Sequence, residues 1–298
     1  MLKLKQQENY LGKLNLKNKC ALVSITGFPN AGKSTLINSF IEKKISIVSH
    51  KVQTTQQSIR GILNKGKVQI IFIDTPGVVE SRRHFSKSFS RAITQNEFIC
   101  DFNLFILDVT KQLDEKEYFL IKKLTNLFKN NFLILNKIDL VEKRKLLNLS
   151  QKINSQYDFK NTFMISAKKK MGLRTLLNKI ITTAPKRKWI YTEEKTLTDK
   201  SLIFQISEIT REKIFQLINK EIPYTVEIKT TIKEEKKIKI INQKIFVKKD
   251  SHKSIVIGKQ GEKIKQIGTR SRLDIEKLLC QQVYLKLEVF KKKKYHET

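Results

Sequence analysis

Directly behind the apolar stretch Ala21–Thr26 stands Gly27-Phe28-Pro29-Asn30-Ala31-Gly32-Lys33-Ser34-Thr35, a complete G-x-x-x-x-G-K-[ST] pattern at a turn from strand into helix. Its physics is direct. The glycines let backbone N–H groups curve round phosphates, the following helix N-terminus attracts negative charge, and Lys33 reaches the β- and γ-phosphates. The Ser34 hydroxyl can ligate Mg²⁺, while Asn30, Ala31, Gly32 and Thr35 complete the phosphate cradle. A chain carrying this turn is committed to an α/β sheet whose strand ends converge on a nucleotide.

The surrounding sequence agrees. Apolar runs at Ala21–Thr26, Val68–Asp74, Leu104–Val109, Phe132–Asn136 and Thr162–Ser166 read as strands, and helical spacing marks Tyr118–Phe128 and Leu173–Ile181. Strand, crossover helix, parallel strand is the simplest topology. Asp74-Thr75-Pro76-Gly77 follows the second run: the Asp74 carboxylate can hold the Mg²⁺ water shell, and the Gly77 N–H can sense the γ-phosphate. In Asn136-Lys137-Ile138-Asp139, the Asp139 carboxylate can accept two hydrogen bonds from guanine N1 and its exocyclic amine, a donor pair that adenine lacks. Such an edge-reading site rejects the analogue by roughly 10⁴ or more. Ser166-Ala167-Lys168 supplies backbone donors for the guanine oxygen.

The polar segment Lys51–Gln57 reads as a switch in which Thr55, with Thr54 as second choice, reaches Mg²⁺ only when a γ-phosphate is present. Residues Val79–Lys87 would form the second switch. Lys33, Thr55, Asp74 and Gly77 are therefore the expected catalytic set. Val78 replaces a water-orienting Gln, so intrinsic hydrolysis should be slow.

A second unit begins beyond Pro185. Residues 1–19 read as a solvated tail, 20–185 as the nucleotide domain, 186–200 as a linker and 201–298 as a further domain. Asp199 is the expected N-cap of a helix to Asn219, followed by strands over Val226–Ile232, Ile238–Val247 and Val283–Phe290. Between the last two strands, Gly258-Lys259-Gln260-Gly261 separates two short amphipathic helices, giving an α-β-β-α-α-β order and the KH arrangement. In this arrangement the loop backbone approaches a sugar-phosphate chain. Lys253, Lys259, Lys263, Lys265 and Arg270 add charge, and Ile257 and Ile264 floor a groove for splayed bases. A lone G-x-x-G is weak, and the frame around it is what gives it meaning.

The net charge of +32 points to a polyanion, either nucleic acid or an acidic membrane surface. Its density is similar in both halves, which a lysine-rich codon bias would also produce. Cys20, Cys100 and Cys280 lack metal-ligand spacing and read as buried thiols, and the apolar runs are too short to span a bilayer.

The motif order resembles the translation-factor-like P-loop GTPases, and the GTPase domain followed by a KH domain resembles the Era family of ribosome-assembly factors. Ile206–Lys213 and Glu221-Ile222-Pro223-Tyr224 look like that family's junction into the KH domain. The resemblance implies an α/β, doubly wound P-loop GTPase domain with a second, smaller α+β, type II KH-like domain. It implies hydrolysis of GTP to GDP and phosphate with Mg²⁺, and a K⁺ ion held partly by Asn30 in place of an arginine finger. It also implies binding near the 3′ end of small-subunit ribosomal RNA and to the small ribosomal subunit. The expected protein is a cytoplasmic monomer, membrane-associated at the inner face in some members, with no DNA partner. Gln56 stands where the family usually has Arg, and Gln260 where it has a small or basic residue. The competing reading is a GTPase of another RNA-modification or membrane-linked process with a nonspecific basic appendage; a passive RNA binder is disfavoured by Lys33, Ser34, Asp74 and Asp139.

Overall fold

The two-residue turn Gly66-Lys67 is too short for a crossover, so the strands that flank it pair antiparallel. Those strands are β2 (Ile59–Lys65) and β3 (Val68–Asp74), which join β1 (Lys19–Gly27), β4 (Phe102–Asp108), β5 (Asn131–Asn136) and β6 (Asn161–Ile165) in the order β2-β3-β1-β4-β5-β6. All other pairings in this sheet are parallel. The apolar pattern alone omits β2 and implies only parallel neighbours; the tight turn is the reason for the difference. The computed structural model describes residues 18–43, 59–74, 100–193, 196–218, 226–235 and 238–292. Among these, one unit ends at Asp199 and another begins at Lys200.

In the first unit, α1 (Lys33–Ile41) follows β1, α2 (Glu115–Leu127) follows β4, α3 (Lys143–Gln156) follows β5 and α4 (Leu173–Thr183) follows β6. The sheet extends from β1 toward β3 on one side and β4 on the other, the strand order of a doubly wound sheet. Asp114 and Glu117 form a reciprocal capping box, so α2 starts three residues before the apolar spacing alone indicates. Phe105, Leu133 and Leu135 of the sheet pack with Ile121 and Leu124 of α2 and with Leu146 and Ile153 of α3. Each such buried side chain stabilises the unit by about 1.5–3 kcal/mol.

In the segment read as a linker, 186–200, the described residues Ile190, Tyr191, Leu197 and Asp199 are hydrogen-bonded to β2 and β3. Gln69, fully buried in β3, is the cause. Its Oε1 accepts from the backbone N–H groups of Ile190 (2.9 Å) and Tyr191 (3.0 Å), and its Nε2 donates to Tyr191 O (2.9 Å) and Asn64 Oδ1 (3.0 Å). Further on, Ile62 N–H donates to Leu197 O at 2.9 Å and Arg60 N–H to Asp199 Oδ1 at 3.0 Å. Asp199 is thus occupied, and the helix cap falls to Ser201, whose Oγ accepts from Phe204 N–H at 3.2 Å.

The second unit runs α5 (Leu202–Leu217), β7 (Glu227–Glu235), β8 (Ile238–Val247), α6 (Asp250–Ile257), a 3₁₀ turn (Lys259–Gly261), α7 (Glu262–Leu279) and β9 (Val283–Lys291). β8 pairs antiparallel with β7 and parallel with β9. Ile245, Val247, Ile214, Val256 and Ile267 form its core, so the alternate residues of β8 point toward the helices. Of the three thiols expected to be buried, Cys20 is, Cys100 is half-buried and Cys280 is exposed, because it sits in the left-handed cap that ends α7. Among the described residues no helix is long and apolar enough to cross a membrane.

Candidate nucleotide site and RNA-binding loop

Asn136 fastens two loops together at the carboxyl ends of the strands. Its Nδ2 donates to Ala31 O at 2.7 Å and its Oδ1 accepts from Ala167 N–H at 3.0 Å, while the residue is 2% exposed. The phosphate loop and the Ser166-Ala167-Lys168 loop are therefore held in register by one carboxamide. Space is tight there: a Cβ on Gly32, whose φ is +103°, would lie 2.3 Å from Asn136 Nδ2. Glycine is required on both counts. Asn30 is held in the left-handed region at φ 62°, and Lys33 Nζ lies 2.9 Å from both Gly27 O and Phe28 O. Ser34 and Thr35 occupy the first turn of α1.

The half expected to bind the base is equally constrained. Lys137 adopts φ 70° and sends its ammonium to Asp108 Oδ2 at 2.5 Å. Asp108 Oδ1 accepts from the Thr110 hydroxyl at 2.6 Å and its N–H at 3.1 Å. Sequence reading missed Asp108, although an acidic residue at the end of a wholly buried strand was a signal available for it. Burial pushes the Asp108 carboxyl up, but the hydrogen bonds from Lys137 and Thr110 outweigh this and hold it below its ordinary range. Asp139 follows in a one-turn 3₁₀ helix and is exposed, so its carboxylate is accessible to a base edge. Ser166 is buried, with its Oγ accepting from Lys169 N–H at 3.1 Å; Ala167 is buried and Lys168 exposed. Ser39 of α1, also missed, brings its hydroxyl to 2.9 Å from Ala167 O.

Asp74 ends β3 in register with Ile25 of β1, which puts it beside the strand that feeds the phosphate loop. Its side chain, Thr54, Thr55, Gln56, Gly77, Val78 and both switch segments lie outside the described residues, as does Glu221–Tyr224. Ser34, in the first turn of α1, and Asp74, at the end of β3, are both residue types with hard oxygen donors, a chemistry that suits Mg²⁺.

In the second unit, the G-x-x-G loop takes left-handed backbone at Gly258, Gln260 and Gly261, with φ of 77°, 51° and 79°. A Cβ on Gly258 would lie 2.5 Å from that of Lys263, so the loop closes on the start of α7 only with glycine there. Gln260 adopts its conformation without that freedom, at some cost in strain. Lys259, Gln260, Lys265 and Arg270 are exposed, and Lys253, Ile257 and Lys263 are half-buried. Ile264, expected to floor the groove, packs against the core of this unit.

Residues 22–137 match a family model described as 50S ribosome-binding GTPase, and residues 221–294 match the KH domain model. The chain is similar to GTPase Era of Afipia carboxidovorans, at 37% identity over 273 residues that cover 91% of this chain and 88% of that protein. GTPase Era of Ehrlichia canis is 36% identical over 277 residues, covering 92% of this chain and 93% of its own. Among solved structures, Era in complex with MgGDPNP and nucleotides 1506–1542 of 16S ribosomal RNA aligns with a TM-score of 0.83 at 32% identity, covering 92% of this chain and 93% of that one. An Aquifex aeolicus Era variant bound to GDP and AlF4⁻ gives the same TM-score, identity and coverage.

Proposed function

The chain belongs to the Era family of GTPases, and from that premise we propose that its nucleotide state governs its hold on the 3′ end of small-subunit ribosomal RNA during assembly of the small subunit. The observation that carries this reading is the Asn136 carboxamide, which locks a phosphate loop to a base-binding loop in a chain that also bears a left-handed G-x-x-G loop. A relative solved on 16S ribosomal RNA supports the choice of RNA.

In this reading the loop N–H groups of Asn30 to Thr35 take the phosphates, and Lys33 exchanges its bonds to Gly27 O and Phe28 O for the β- and γ-oxygens. Asp139 reads the guanine edge while Lys137, anchored by Asp108, holds the base-binding turn in place. Ser34, Thr55 and Asp74 would hold Mg²⁺, which neutralises charge on the β- and γ-oxygens. Asn30 contributes to a K⁺ site, and Gly77 senses the γ-phosphate. Hydrolysis releases Thr55 and Gly77, and that release alters RNA affinity. The RNA-binding residues are Lys253, Ile257, Gly258, Lys259, Gln260, Gly261, Lys263, Ile264, Lys265 and Arg270. We place this work in the cytoplasm, by a monomer.

The test is a competition assay at physiological salt, where nonspecific attraction of a +32 chain is weakened. Single strands matching the ribosomal RNA 3′ end should bind above scrambled ones, with different affinities in GTP and in GDP. The Lys33→Ala chain should retain the RNA preference and lose its nucleotide dependence. Equal binding of matched and scrambled RNA refutes the proposal.

A further inference from the structure

The sheet of the second unit has a second face, directed away from the helices. Residues at 241, 243, 245 and 247 of β8 turn inward and are buried, so their neighbours turn outward. The pairing registers arrange the outward residues in rows across the three strands. At one end Phe246 lies beside Phe290, the next row sets Lys229 beside Lys244, then Thr231, Asn242 and Lys286 follow, and Tyr284 comes last. Tyr284 is 60% exposed and Phe290 38%. The Phe246 and Phe290 rings stack with centroids 5.8 Å apart. Lys229 Nζ stands 5.6 Å over the Phe246 ring and Lys244 Nζ 5.8 Å over the Phe290 ring.

Two features of this face ask for an explanation. Large aromatic rings cost free energy when left in water, yet Tyr284 and Phe290 are exposed and Phe246 is only half-buried. The cations are also placed on the ring faces rather than scattered. A sheet face with aromatic platforms at both ends and lysines between them supplies what a single-stranded nucleic acid needs: π surfaces for bases and ammonium groups for phosphates. Thr231 and Asn242, at the centre of the face, can meet base edges with hydrogen bonds, whereas a lipid interior would leave them unsatisfied. Glu288 pairs with Lys286 at 3.4 Å and Glu227 with Lys292 at 2.8 Å, so Lys229 and Lys244 carry the positive excess of the central rows.

We propose that this open face is a second RNA-binding surface, on which Tyr284 and the Phe246–Phe290 pair stack bases of a single strand that extends beyond the G-x-x-G loop. The proposal rests on the reading of the second unit as an RNA-binding domain. It is distinct from the loop site, because none of its residues belongs to the loop or the two helices flanking it. The face is about 20 Å long between the Tyr284 and Phe290 rows, enough for several nucleotides. A G-x-x-G loop by itself clamps about four.

The experiment uses the full chain and two RNAs, a 6-nucleotide and a 15-nucleotide single strand from the ribosomal RNA 3′ end. Tyr284→Ala should weaken the longer RNA about 5-fold or more and leave the shorter one unchanged, and Tyr284→Phe should restore affinity because it keeps the ring. Joint replacement of Lys229 and Lys244 by Gln should lower the salt slope for the longer RNA by about 0.7 for each phosphate that a lysine no longer neutralises. Both readouts come from exposed side chains, and a thermal melt matching the wild type confirms folding. A loop variant, Lys259→Asp with Gln260→Asp, separates the two readings. If it abolishes binding of both RNAs while the sheet variants bind like wild type, the second surface is refuted and the loop site stands. If neither set changes binding, both are refuted. If the sheet variants lose only binding to vesicles containing phosphatidylserine, the face serves a membrane and the RNA proposal is overturned.

Discussion

Asp108 is a buried carboxylate whose charge is maintained by Lys137 and Thr110. Its depressed folded-state pKa means that it stabilises the fold above its unfolded value and that the contribution is lost as pH falls through the folded one. Asp108→Asn should therefore cost about 1.5–3 kcal/mol at neutral pH. In urea melts the gap to wild type should narrow as the pH drops below about 4, and a gap constant across pH would refute the charge argument. Asn30 makes a second prediction: GTP turnover should be faster in potassium than in sodium buffer, and Asn30→Ala should remove the difference. Equal rates in the native chain would eliminate the cation site. The cysteines give a third. Burial pushes the Cys100 thiol up to about 11 and raises that of Cys20 as well, so a disulfide reagent at pH 8 should label Cys280 first, in the folded chain. Prompt labelling of Cys20 would contradict its burial.

The segment from Pro185 to Asp199 behaves as an element, although its described residues form no regular helix or strand. Cys20 N–H donates to Pro185 O at 3.1 Å, Trp189 and Tyr191 pack on the Cys20, Ile62 and Ile71 cluster, and Gln69 uses both donors and both acceptor positions. Gln69→Leu keeps similar bulk and removes these bonds, so it should destabilise the first unit by about 1–3 kcal/mol and speed proteolysis between 186 and 200. Cleavage at the wild-type rate would show that the apolar packing suffices. Charge, Thr and Glu in this segment read as a linker from sequence, because the polar group that holds it lies more than a hundred residues earlier. α3 is absent from the sequence reading for a different reason: Leu146 and Ile153 are its two buried residues, and so sparse a stripe is hard to distinguish from a polar loop.

For the molecule as a whole, guanine selectivity in the first unit and RNA selectivity in the second must both hold. Calorimetry should show GTP favoured over ATP by roughly 10⁴, and equal affinities would remove the switch altogether. The strand-ending motifs were readable because phosphate and guanine chemistry demands particular residues at particular spacings. Gly32, Lys33, Asn136 and Asp139 are expected site residues on that ground, and the G-x-x-G loop is an expected site on the ground of its α-β-β-α-α-β frame. Periodicity likewise revealed the parallel strands and β8, since burial of one or both faces leaves a local pattern. What no local pattern carries is a partner distant along the chain. The hold of Asn136 on two loops, the Asp108–Lys137 pair, the grip of Gln69 on Tyr191 and the aromatic rows of the open sheet depend on register and packing. These arise only when separate strands are brought side by side.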